Sequence, residues 1–186
     1  MIHRPLAALT QAYPSETHLE NRLRDLTARD RAAAVDHFSL VLPEFDVLIA
    51  LPDAETIGSG LAHLRGTPTV LAPPEVSGVA EACAPEHLPV NTPDRWTFTR
   101  PGALPTNIRT AVIVSQHLKG GLPELLTALL AARQGWTVQA VAVVVERTNN
   151  RGRTRLELQG MTVRAALQLA DTPRGLELER RIPHLN

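Results

Sequence analysis

The residues with most chemistry to offer fall in one stretch, Arg109 to Gly135, reading RTAVIVSQHLKGGLPELLTALLAARQG. Lys119-Gly120-Gly121 lies between an apolar run, Ala111 to Val114, and the leucines 125, 126, 129 and 130, which recur at helical spacing. Pro123 suits the first turn of that helix, where its missing N–H costs nothing. The N–H groups at a helix start, with the helix dipole behind them, favour a phosphate or a carboxylate. Two glycines let such a ligand approach the backbone, and Lys119 adds a point charge, so Lys119 to Leu122 are candidate anion-binding residues. A tight turn that binds nothing has the same spacing.

Other chemistry is sparser. The seven histidines are dispersed with no metal-ligand spacing, and the single Cys83 excludes an internal disulfide or a multi-cysteine metal site. Gly58 and Gly60 lack the third glycine of a dinucleotide fingerprint. Arg147, Arg151, Arg153 and Arg155 cluster either as a basic patch or as a solvated turn.

The elements that must position these residues can be read in chain order. Residues 1–14 suggest an arm or edge strand. Ser15 is a possible N-cap for a helix burying Leu19, Leu23 and Leu26, and Thr27 or Asp30 caps a second that runs to Leu42 and stops at Pro43. Residues 45–51 read as a buried strand, 52–56 as a loop, 57–64 as a short helix and 69–71 as a strand. The prolines of 72–107 break the rhythm, leaving an irregular insertion with one strand near Trp96-Thr97-Phe98, a lid or a dimer contact. Then come strand 111–114, loop 115–121, the helix closed by Gly135, strand 138–145, a helix over 154–159, strand 163–169 and a charged tail or helix. Repeated strand-loop-helix-strand units predict a single α/β domain over 1–186: an open, mostly parallel twisted sheet with helices on both faces, and ligands at the carboxyl ends of the strands.

Bulk composition is neutral. Nineteen basic residues balance nineteen acidic ones, so charge gives no reason to expect a nucleic-acid or membrane partner. With no transmembrane-length apolar run and no signal peptide, the expectation is a cytoplasmic protein.

This order of elements resembles the type I phosphoribosyltransferases over roughly residues 30–170, and Val141 to Leu169 is similar to the end of the orotate enzymes. The resemblance implies a homodimer with a hood made from the N-terminal residues 1–44 or the insertion. It also implies a site for phosphoribosyl pyrophosphate built from Ser115, Gln116, His117, Lys119, Gly120, Gly121 and Leu122, with Asp53, Ala54, Glu55 and Thr56 in the pyrophosphate loop. In that family two adjacent acidic residues hold the ribose hydroxyls and a Thr-Gly-Gly turn holds the 5-phosphate. Here Ser115 and Gln116 take the acidic positions, or Val114 and Ser115 in a register shifted by one, and Lys119 stands for the threonine. Asp53 and Glu55 enter a loop that should receive a pyrophosphate, and Ala72-Pro73-Pro74 replaces a basic residue.

Three functions follow as expectations. One is a phosphoribosyltransferase-like protein that binds a nucleotide or sugar phosphate with impaired catalysis. Another is an active enzyme for a purine or pyrimidine base, with Asp53 or Glu55 supplying the carboxylate. The last is a protein-interaction module on an inherited fold. Mg²⁺ is expected only if phosphoribosyl pyrophosphate binds.

Overall fold

A computed structural model describes residues 9, 12–77, 95–100 and 102–179. Six strands form one sheet in the order β2-β1-β3-β4-β5-β6, where β1 is Val47–Ala50, β2 Thr69–Leu71, β3 Thr110–Leu118, β4 Thr137–Arg147, β5 Thr162–Thr172 and β6 Gly175–Leu178. The first five run parallel, and β6 returns antiparallel against β5. The helices are α1 Glu16–Arg24, α2 Ala28–Val41, α3 Glu55–Arg65, α4 Leu122–Arg133 and α5 Gly152–Glu157.

The sheet is parallel because its central strands are apolar on both faces. All of β1 is buried, and alternate residues join opposite cores. Leu48, Val112 and Val114 pack with Phe38 of α2 and Leu61 of α3, while Ile49, Ile113 and Val141 pack with Leu126 and Leu130 of α4. Local signals start the helices where the sequence placed them. Ser15 caps α1, and Thr27 and Asp30 form a reciprocal capping box on α2. Gly58 lets α3 approach β1, since a Cβ there would stand 2.7 Å from Ala50 Cβ. A second contact explains Gly60, whose Cβ would meet Val35 of α2 at 3.2 Å.

Several expectations change. Residues 115–118 continue β3 instead of starting a loop. The start of the expected tail or helix is a strand: Gly175–Leu178 is β6, and Leu176 exchanges backbone hydrogen bonds with Tyr13, while residues 180–186 lie outside the described residues. Trp96 and Phe98 are buried but form no strand; Thr99 makes a single bridge to Leu71, and Phe98 stacks on Trp136. The arginine turn is only partly solvated, because Arg147 pairs with Glu16 and Asp171 and Arg153 with Glu146. Cys83, with the rest of 78–94 in the insertion, lies outside the described residues. Among the described residues, no helix is long and apolar enough to cross a membrane.

Candidate functional site

The carboxyl ends of β1 and β3 lie side by side, so the segments 52–56 and 115–121 meet at one end of the sheet. After β1 a short 3-10 turn, Pro52–Ala54, leads into α3. The Asp53 carboxylate accepts the Gln116 N–H at 3.1 Å. Crowding by the surrounding protein raises the Asp53 pKa, and the amide donors of Gln116, Asp53 itself and His117 partly offset that rise. Ala54 is buried, whereas Glu55 and Thr56 are exposed at the start of α3.

Ser115 faces inward. Its hydroxyl donates to Glu124 Oε1 at 2.8 Å, and both residues are 1% exposed. Glu124 sits in the first turn of α4 and turns towards the sheet rather than to solvent. Burial pushes its pKa up to about 7, against the opposing hydrogen bonds from its own N–H and from Ser115, with the Asp53 charge adding to the rise. Thr127, one turn further on, is also buried and its hydroxyl has no hydrogen-bond partner. The carboxylate nearest Ser115 therefore comes from α4. Sequence reasoning missed it, because an acidic residue in a first turn is ordinarily there for the helix dipole.

The glycine turn is built against α5. Gly121 adopts the left-handed conformation (φ 73°) as N-cap of α4, and no side chain caps that helix start. Its missing Cβ makes room for Gly152, whose carbonyl oxygen would lie 3.0 Å from such an atom. Gly152 in turn abuts the Lys119 carbonyl, and Arg155 donates to the Gly120 carbonyl. Leu122 is buried. Gly120 is less confined: a Cβ there would meet only the Arg155 guanidinium, at 3.4 Å.

Lys119 points to α1. Its ammonium lies 2.5 Å from Glu16 Oε1 and 2.5 Å from Glu20 Oε1. Burial disfavours its charge, but the two carboxylates outweigh that and its pKa is raised. The Lys119 hydrogen bond lowers the Glu16 pKa, with Arg147 helping. His117 joins this group from β3. Burial, then the Lys119 and Arg147 charges, bring its pKa down to about 4, against the opposing pull of Glu16 and Glu20. Its Nε2 is buried with no hydrogen-bond partner.

The site residues thus divide into three groups. Ser115 and Glu124 are buried beneath α4, Asp53 and Gln116 tie two loops together, and His117 and Lys119 face α1. Lys119 to Leu122 border a helix start that no side chain caps, an arrangement suited to an anion.

No protein-family model matches the sequence, and no curated protein does. Solved structures do match. Orotate phosphoribosyltransferase from Aeropyrum pernix superposes with TM-score 0.59 at 17% identity, over 80% of this chain and 76% of that one. Adenine phosphoribosyltransferase from Leishmania tarentolae gives 0.58 at 14% identity, over 80% and 74%. The adenine enzyme from Thermoanaerobacter pseudethanolicus gives 0.55 at 19%, over 80% and 85%. At such identities the likeness speaks for architecture alone, and with the strand order and helix placement described above it establishes that this chain has the type I phosphoribosyltransferase fold.

Proposed function

We propose that the chain binds a phosphate-bearing small molecule, a nucleotide or sugar phosphate, at the β3–α4 turn and transfers phosphoribosyl groups poorly or not at all. The observation that carries the reading is the start of α4: Gly121 in the left-handed conformation and no side-chain cap on the helix, at the carboxyl end of the sheet. Impaired transfer follows from charge. An oxocarbenium-like ribose needs a carboxylate facing it, yet Ser115 is spent on Glu124 and Gln116 is neutral. Glu124 is too buried to face a ligand. Residues 115 and 116 offer no carboxylate to Mg²⁺ either, so any such ion would be carried by the ligand's own phosphates. Lys119 is held by Glu16 and Glu20, and an anion must compete with them for it. Cytoplasmic location and a homodimer belong to the same proposal.

The test is a thermal-shift and calorimetric screen with phosphoribosyl pyrophosphate and nucleoside monophosphates, with and without Mg²⁺. The Gly120→Val variant should retain the fold, since the protein leaves room on its own side, and should lose ligand-induced stabilisation. An unchanged shift in that variant removes the turn as the site. Turnover above about 1 s⁻¹ with any common purine or pyrimidine base, the low end of ordinary enzymes, refutes the impairment.

A further inference from the structure

The group around His117 has a separate potential. One carboxylate oxygen from Glu16, one from Glu20 and a ring nitrogen of His117 all lie within 4.8 Å of one another. Glu16 and Glu20 are four residues apart on α1, so both project from one face of the helix. His117 arrives from β3, on the opposite side of the gap. We propose that Glu16, Glu20 and His117 bind a divalent transition metal of the zinc class, with the fourth position open to water.

The donor set fits that chemistry. Carboxylate and imidazole donors both suit zinc, and the imidazole argues against magnesium or calcium, which take all-oxygen sets. Metal–ligand bonds of about 2.1 Å in a tetrahedron put ligand atoms roughly 3.4 Å apart, so the observed spacing closes with small rotations of half-exposed glutamates. The imidazole is otherwise unexplained. A buried ring nitrogen without a partner is costly, and a metal bond would satisfy it. A cation already occupies the carboxylates: the Lys119 ammonium, 2.5 Å from each. Its side chain is 42% exposed and can swing to solvent when a doubly charged ion displaces it. Arg147, 3.3 Å from the other oxygen of Glu16, stays to balance the charge on that glutamate. The inference does not depend on any ligand at the glycine turn.

The experiment is calorimetric titration of the chelator-stripped full chain with zinc chloride in a non-coordinating buffer. One zinc per chain is expected. His117→Ala and Glu20→Gln should each weaken binding at least tenfold, and Lys119→Met should tighten it by removing the competitor. Should His117→Ala unfold, Glu20→Gln on the half-exposed helix face carries the test, with circular dichroism as the folding control. No stoichiometric binding, or binding that survives Glu20→Gln and weakens in Lys119→Met, overturns the proposal.

Discussion

Glu124→Gln should make the protein more stable above neutral pH and leave it nearly unchanged in acid. Glutamine keeps the shape and the acceptor oxygen for Ser115 but cannot ionise. In the native protein burial raises the Glu124 pKa from 4.5 to about 7. A raised carboxyl pKa means the folded chain holds a proton that the unfolded chain releases. Its protonated form contributes fully below pH 4.5, and that contribution is lost as pH rises to 7. At 1.36 kcal/mol per tenfold change in proton affinity, the difference is roughly 3 kcal/mol, taken as an order of magnitude. Urea unfolding of both proteins from pH 4 to 8.5 measures it, read as the variant's stability minus that of the native chain.

The difference matters more than either profile, because His117 acts in the opposite sense. Its pKa is lowered from 6.5 to about 4, so its contribution is complete above pH 6.5 and is lost as pH falls through 4. Between pH 4.5 and 6.5 the two groups pull the native profile in opposite directions and nearly cancel. Subtracting the native profile from the Glu124→Gln one removes His117 and isolates Glu124. The subtracted curve should be flat below pH 4.5, climb to about 3 kcal/mol in favour of the variant by pH 7, and then level off. A curve flat across the whole range would refute the reasoning, since it would mean that the carboxyl ionises as freely as in the unfolded chain.

Other substitutions test the packing around the site. Thr127→Val should raise stability by about 1 kcal/mol in a thermal or urea melt, because it replaces a buried hydroxyl that has no partner with a methyl of the same shape. Gly152→Ala should cost about 1–3 kcal/mol, since its Cβ would collide with the Lys119 carbonyl, and hydrogen exchange should show faster opening of residues 119–122. In His117→Leu the loss of stability on acidification between pH 6.5 and 4 should shrink, as measured by the same urea series; an unaltered acid limb would show that other groups carry it.

The architecture was legible where local rules decide it. Val47 to Ala50, Ala111 to Val114 and the valines of β4 are apolar without alternation because both sheet faces are covered, and that pattern survives in the sequence. Ser15 and Thr27 could be read as caps because their partners, His18 and Asp30, stand three residues away. The edge strand β6 could not be read this way. Gly-Leu-Glu-Leu alternates too briefly to stand out, and its outer contact is Tyr13, at the far end of the chain. Glu124 was missed for a related reason, since nothing near it in the sequence reveals that Ser115 will be its partner.

The metal candidate was hidden by a slip in the strands themselves. Counting by twos from Val112 and Val114, which face α1 to α3, would send Leu118 to that side and His117 to the side of α4. The reverse is observed: Leu118 packs in the α4 core with Ile113, and His117 meets Glu16 and Glu20 of α1. Neighbouring strands share the slip. Val144 and Val145 are consecutive, yet both join the core under α1 to α3, and Ala166 and Leu167 do the same. The break in alternation falls at one level in all three strands, between the pairs Ser115–Val143–Ala165 and His117–Val145–Leu167, and exchanges the faces of everything beyond it. An apolar run such as Val-Ala-Val-Val-Val cannot disclose that shift, because every residue in it suits either face. The slip nonetheless decides the chemistry of the sheet's end. It places an aliphatic residue beneath the α4–α5 junction and delivers an imidazole, followed by an ammonium, to the acidic face of α1.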